Sequence, residues 1–284
     1  MAYPVPLFAR RVCVIALALA APALLGGADT PATPPRPPLP VAVATIVARY
    51  PHDTNAFTEG LLIDRGALYE STGYERSSFI KRIDLETGKV LQSTQLPSSV
   101  FGEGIVIWGN EILNVVWHGG QGQRRSLKDF RVTGKFTYTG EGWGMTHDTH
   151  NIILSDGTPV LRFLSPRTMK VVRRLTVTAN GRPLPRLNEL EYVKGAILAN
   201  VWMTGAIVKI DPTTGHVTQV IDLTQLIADA HPRDPEAVPN GIAYDEAHDR
   251  LFVTGKYWPY IYQVALQQPP VSAKPDDGSL RQGR

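Results

Sequence analysis

Residues 57–74 read FTEGLLIDRGALYESTGY: a Gly-bounded apolar run, FTEGLLI (57–63), a turn, and a second apolar run, LYESTGY, from Leu68. Apolar segments this short, punctuated by Gly, read as β-strands joined by tight turns. The same phrase returns along the chain. Its first strand recurs as FGEGIVI (101–107), GWGMTHD (142–148), LNELEYV (187–193) and PNGIAYD (239–245). Its second strand recurs as ILNVVW from Ile112, IILSDG from Ile152, ILANVW from Ile197 and LFVTGK from Leu251, at spacings of 44, 40, 45 and 54 residues.

Third strands follow as FIKRIDLETGKVL (79–91), VLRFLSP (160–166), IVKIDPTTGHV (207–217) and IYQVAL (261–266), with hairpin turns expected at Asp84 and Asp211. Internal repeats of about 45 residues suit four-stranded propeller blades. A β-sandwich or open barrel would not require one two-strand phrase five times, so the expected fold is an all-β, five-bladed β-propeller. DLTQLIADA (222–230) is the one helical stretch expected, with Asp222 as its cap, and it lengthens the last spacing.

Outward from the repeats, the composition agrees: Gly (25) and Pro (23) are plentiful, and apolar runs at helical spacing are scarce. Residues 1–28 place Arg10 and Arg11 before an apolar run, Val12 to Leu25, with small residues around Ala23 and Ala28. That is the pattern of a cleaved signal peptide, and the run is shorter than a membrane span needs. Export to a periplasm or the exterior is expected, with no membrane attachment after cleavage. The only cysteine, Cys13, leaves with this segment, which excludes disulfides, thiolate ligands and a cysteine nucleophile from the mature chain. Cleavage also lowers the net charge from +3 to +1, so nucleic acid is not an expected partner. A Pro-rich linker (29–40) precedes the domain (41–268), and a polar tail (269–284) follows it.

First strands of a propeller line its channel, so matching repeat positions converge. These positions carry Phe57 and Glu59, Phe101 and Glu103, Trp143, Asn188 and Glu189, and Asn240; the ends of the second strands carry Trp117, Trp202 and Lys256. Two carboxylates among aromatic rings acquire raised pKa values and suit proton transfer near neutral pH. The plainer alternatives stay open at this point: Glu103 bonding a turn amide beside Gly104, the tryptophans serving as core, and Lys256 reaching solvent. His147 and His150 in HDTH come without the HExxH spacing or cysteines of a zinc site, and His52 and His118 are far off in sequence.

Taken in order, FTEGL, FGEG, LSDGT, NELEY, ANVW, the turns IDLETGKV and IDPTTGHV, and NGIAYD with FVTGKYWP resemble the plant and bacterial glutaminyl cyclases, from about Tyr50 to Val264. The resemblance implies a five-bladed propeller whose reaction centre uses no metal or other cofactor, unlike the zinc-dependent animal cyclases; a structural divalent ion in the channel stays open. It implies an enzyme that converts the N-terminal glutamine of peptides or proteins to pyroglutamate with release of ammonia, and a monomer is expected. The catalytic glutamate of the family falls on Glu103, and its pocket residues on Phe57, Phe101, Trp117, Trp143, Asn188, Trp202 and Lys256. Glu59 and Met203 stand where glutamine is usual, so two acids share the expected substrate pocket and their titrations couple. Two other readings of the same residues are a non-catalytic peptide-binding propeller and a metal-dependent propeller lactonase or hydrolase.

Overall fold

The computed structural model describes residues 37–268. The expected signal segment, most of the Pro-rich stretch and the tail lie outside the described residues. The first strand, β1 (Val41–Pro51), is followed by β2 (Thr58–Asp64), β3 (Ala67–Thr72), β4 (Phe79–Ile83) and β5 (Val90–Gln95), which form one antiparallel sheet. A second sheet holds β6 (Gly102–Trp108), β7 (Glu111–Val116), β8 (Gln121–Ser126) and β9 (Val132–Thr137). The third holds β10 (Met145–His147), β11 (Ile152–Leu154), β12 (Val160–Leu164) and β13 (Val171–Thr176).

A small pair, β14 (Thr178–Ala179) and β15 (Arg182–Pro183), leads to β16 (Leu187–Val193), β17 (Ala196–Val201), β18 (Ala206–Ile210) and β19 (Val217–Asp222). Helix α1 (Thr224–Ala230) precedes β20 (Pro239–Asp245), β21 (Arg250–Gly255) and β22 (Tyr260–Gln267). These last strands join into one eight-stranded sheet because β1 lies between β19, which it pairs in parallel, and β22, which it pairs antiparallel. The end of the Pro-rich stretch takes part as well: the Pro40 carbonyl accepts the Val220 N–H, and Leu39 packs on the cluster around Leu187 and Val208.

The inner strands touch in sequence, β2 with β6, β6 with β10, β10 with β16, β16 with β20, and β20 with β2, which closes a ring. Apolar clusters fill the gaps between neighbours. Ile80, Ile105 and Phe130 pack between the first two sheets, and Val115, Met145 and Leu164 between the second and third. Phe163 meets Leu190 and Val208, Leu198 meets Val253 and Tyr262, and Phe252 returns to Leu61 and Leu68. Burial along the inner strands is two-sided, so their sequences read as apolar runs rather than alternations.

The strand expectations hold, with two corrections. GWGMTHD is strand only at Met145–His147, because the Gly–Trp–Gly segment before it spends its backbone bonds on Ser155 and Gly104. The helix cap is Leu223 rather than Asp222. Asp222 instead folds an Asx turn, its Oδ1 accepting the Thr224 N–H at 2.9 Å.

Candidate functional site

The site is built at the start of each inner strand, where the chain aligns as FTEG (57–60), FGEG (101–104), EGWG (141–144), RLNE (186–189) and VPNG (238–241). Strand pairing breaks register at this point in β2, β6, β16 and β20, between Thr58 and Gly60, Gly102 and Ile105, Leu187 and Leu190, and Pro239 and Ile242. Such bulges bend a strand and re-aim its side chains. The third tetrad residue is then Glu59, Glu103, Trp143, Asn188 or Asn240. Glycine in the fourth place lets the inner strands approach: a Cβ on Gly104 would lie 2.5 Å from the Trp143 carbonyl oxygen. RLNE breaks this rule with Glu189, whose carboxylate accepts the N–H of Leu61 (3.3 Å) and Ile242 (2.8 Å) and ties three inner strands together.

Lys256 is buried, and its Nζ donates to Glu59 Oε1 at 2.7 Å and lies 4.0 Å from the Phe57 ring centroid. The other Glu59 oxygen accepts Asn240 Nδ2 at 2.9 Å. Burial holds the Glu59 carboxyl above its ordinary pKa, and the Lys256 charge with the N–H donors on its two oxygens pulls it back toward the ionised form. Glu103 is only 6% exposed, and its carboxyl takes no hydrogen bond from protein among the described residues. Burial first, and then the neighbouring Glu59 charge, hold the Glu103 carboxyl well above its ordinary pKa, while Lys256 pulls it down.

Aromatic side chains wall these charges. Phe57 meets Phe101 edge to face at 5.9 Å, and Phe101 meets Trp117 at 5.6 Å. Trp143 meets Trp202 at 5.7 Å and packs on Gly157, where φ is +75° and a Cβ would strike the indole. Trp117 and Trp202 are 40% and 37% exposed, so this wall opens to solvent. Lys256 is thus buried beside Glu59 rather than in solvent, and Trp117 and Trp202 are partly exposed rather than packed in the core.

Asn188 is buried at the matching position of β16; among the described residues its Oδ1 has no hydrogen-bond partner and no side-chain hydrogen bond joins it to the others. His147 and His150 are exposed, while His52 is bound to Glu70 at 2.8 Å in a separate buried pair. Among the described residues no three His, Cys, Asp or Glu side chains are gathered as metal ligands.

Sequence reasoning missed Glu141. One of its oxygens accepts both indole N–H groups, Trp117 Nε1 at 2.9 Å and Trp143 Nε1 at 2.8 Å. Arg162 holds its backbone carbonyl at 2.6 Å. Glu141 opens EGWG, the place held by Phe57 and Phe101 in their tetrads, and that alignment was the available signal. Tyr74 and Tyr257, both against Phe57, were also missed; they follow Gly73 and Lys256 with φ of 78° and 61°. Met203, after Trp202, makes the same left-handed step at 62°. Left-handed backbone in non-Gly residues is costly and gathers at binding sites. The Tyr74 hydroxyl donates to Glu236 at 2.7 Å, adding another acid at the rim.

Comparison with known proteins gives one direction. A family model described as glutamine cyclotransferase matches residues 16–266. A glutaminyl-peptide cyclotransferase of Arabidopsis thaliana is 38% identical over 227 residues, covering 78% of this chain and 71% of that protein. The crystal structure of Myxococcus xanthus glutaminyl cyclase superimposes with a TM-score of 0.77 at 34% identity, over 82% of this chain and all of that one.

Proposed function

The chain belongs to the glutamine cyclotransferase family, and from that premise we propose that it is a glutaminyl-peptide cyclotransferase in which Glu103 moves the proton. The observation that carries this is a buried carboxyl with no hydrogen-bond partner from protein among the described residues, near enough to Glu59, Lys256 and the indole-holding Glu141 to feel their charges. The reaction is an intramolecular aminolysis. The α-amine of the N-terminal glutamine attacks its own side-chain amide carbon, a five-membered lactam forms, and ammonia leaves.

The substrate brings its own nucleophile, so the protein's task is to fold the side chain back and to manage one proton. Phe57, Phe101, Trp117, Trp143 and Trp202 hold the folded-back chain. Glu103 takes the proton released as the amine adds and returns it to the departing nitrogen, a shuttle that its raised pKa suits. Lys256 spends one N–H on Glu59 and has two left, which face the oxyanion of the tetrahedral intermediate. Asn188 orients the peptide through its buried, unpartnered amide oxygen.

We read the eight-stranded sheet as two blades joined through β1, so that the ring counts five. The contact of β2 with both β6 and β20 supports this. We also propose export, on the signal-peptide pattern of residues 1–28; no helix among the described residues is long and apolar enough to cross a membrane. Ammonia release from a Gln-initiated peptide, with and without a chelator, tests the activity. Release that survives chelation supports the proton shuttle; no release at all favours a peptide-binding platform, and release abolished by chelation favours metal-assisted chemistry.

A further inference from the structure

The repeats supply an internal control for one arginine. Arg82 on β4 lies opposite Tyr69, and Arg124 on β8 lies opposite Leu113, so the two arginines occupy the same place in successive sheets. Arg124 is neutralised: its Nη1 donates to Glu111 at 2.9 Å, and its Nη2 to the Pro166 carbonyl. Glu111 pairs with Trp108 at the start of β7, and the matching residue at the start of β3, paired with Asp64, is Ala67. Arg82 therefore lacks the acid its counterpart has. No carboxylate lies within ion-pair distance of it among the described residues, and its Nε is buried without a partner.

Where that partner is missing there is a cavity of about 410 Å³, lined by Arg65, Tyr69, Arg82, Asn110 and the Ser126–Lys128 segment. None of these is an acid. The acids nearest these cations in sequence are engaged elsewhere: Asp64 by Arg65 at 2.7 Å, Asp84 by the Thr87 hydroxyl at 2.7 Å, and Asp129 by the Arg131 N–H at 3.2 Å. Gln92, which lies opposite Arg82 on β5, donates to the Lys128 carbonyl at 3.2 Å and holds the β8–β9 turn against the cavity. Leaving a guanidinium uncompensated costs stability unless an anion completes it.

We propose that this cavity is a second binding site, for a phosphate group, at the end of the strands remote from Glu59 and Glu103. Arg65 is paired with Asp64, while neither Arg82 nor Lys128 has an ion-pair partner among the described residues, so two unpaired positive charges face the cavity. That matches the charge of about −1.5 to −2 on a phosphate monoester better than it matches a single carboxylate. The Arg82 fork, Lys128 and the Tyr69 hydroxyl supply the donors that its oxygens accept. The phosphate is either free or carried on a larger molecule.

Isothermal titration of the full chain with inorganic phosphate, with glucose 6-phosphate, and with acetate at equal ionic strength tests this. Phosphate binds with Kd on the order of 1 mM, and acetate does not compete. Arg82→Met weakens binding by at least about tenfold. Ala67→Glu, which gives Arg82 the acid that Arg124 already has, abolishes binding in a fully folded protein. Neither substitution changes the cyclisation rate. Tighter binding of the sugar phosphate identifies a phosphorylated molecule as the occupant, and equal binding identifies the free ion. No phosphate binding, acetate binding as tightly as phosphate, or binding undiminished in both variants overturns the site.

Discussion

Replacing Glu141 by Met keeps the length of the side chain and removes the acceptor that two tryptophans share. The lost bonds are 2.9 Å from Trp117 and 2.8 Å from Trp143. A hydrogen bond to a charged acceptor is worth about 1.5–3 kcal/mol when shielded. The Glu141 side chain is 38% exposed, and water competes for it, so about 1 kcal/mol per bond is the appropriate figure. Together they amount to about 2 kcal/mol, or roughly 30-fold in an equilibrium constant. Glu141 fixes the walls of the pocket and not the reacting atoms, so KM rises about 30-fold while kcat stays within a few-fold. Gln at this position still accepts both indoles without the charge and recovers most of the loss, leaving KM within about fivefold of wild type. Steady-state kinetics on a Gln-initiated peptide reads both numbers. Tryptophan emission shifts in the Met variant and not in the Gln variant, since two of the five indoles change partner. A KM within about twofold of wild type in the Met variant, or a collapse of kcat at constant KM, refutes the clamp.

Three further outcomes follow from the same geometry. Glu59→Gln removes the charge that raises the Glu103 carboxyl and frees Lys256 to lower it, so the acid limb of the kcat profile moves to lower pH; an unmoved limb removes Glu59 from the electrostatics of the site. Glu191 is pushed by burial up to about 8, against a usual 4.5. A carboxyl raised in the folded state stabilises most below 4.5 and loses that contribution as pH climbs toward 8, so Glu191→Gln flattens the fall of Tm across this window in thermal melts at several pH values. Gly157→Ala introduces a Cβ that meets the Trp143 indole at 2.6 Å on a backbone of φ +75°, which costs about 1–3 kcal/mol and raises KM; kinetics and melts unchanged from wild type would show that the indole moves freely.

The inner strands were legible because two-sided burial forces apolar runs and close approach forces glycine, and both leave marks at fixed spacing. The β8–β9 and β12–β13 turns were not. IDLETGK and IDPTTGH announce their turns through Gly88 and Gly215, at φ of 68° and 75°. SLKDFR (126–131) and SPRTMK (165–170) make the same turn, with the same pair of backbone bonds, but with Phe130 and Met169 at 57° and 56°. Those side chains are almost fully buried, and their packing offsets the left-handed backbone of about 1–2 kcal/mol. Local turn chemistry cannot disclose a residue held there by tertiary contact.

The site divides in the same way. Glu59 and Glu103 stood out because they share one phrase, and Lys256 because it ends a strand among aromatics. Glu141 hid because its tetrad place holds Phe in two other repeats, and its value lies in accepting from two indoles 24 and 2 residues away. Asn240 sat at a matching position without declaring its partner, Glu59, since a contact spanning 181 residues leaves no local trace.

Mass spectrometry of a Gln-initiated peptide incubated with wild-type protein and with Glu103→Gln tests the central claim most directly. Wild type converts the peptide to the species lacking one ammonia. The variant binds it with nearly unchanged KM and turns it over about 10²- to 10⁴-fold more slowly. Conversion by Glu103→Gln at the wild-type rate contradicts the assignment of the proton to this carboxyl.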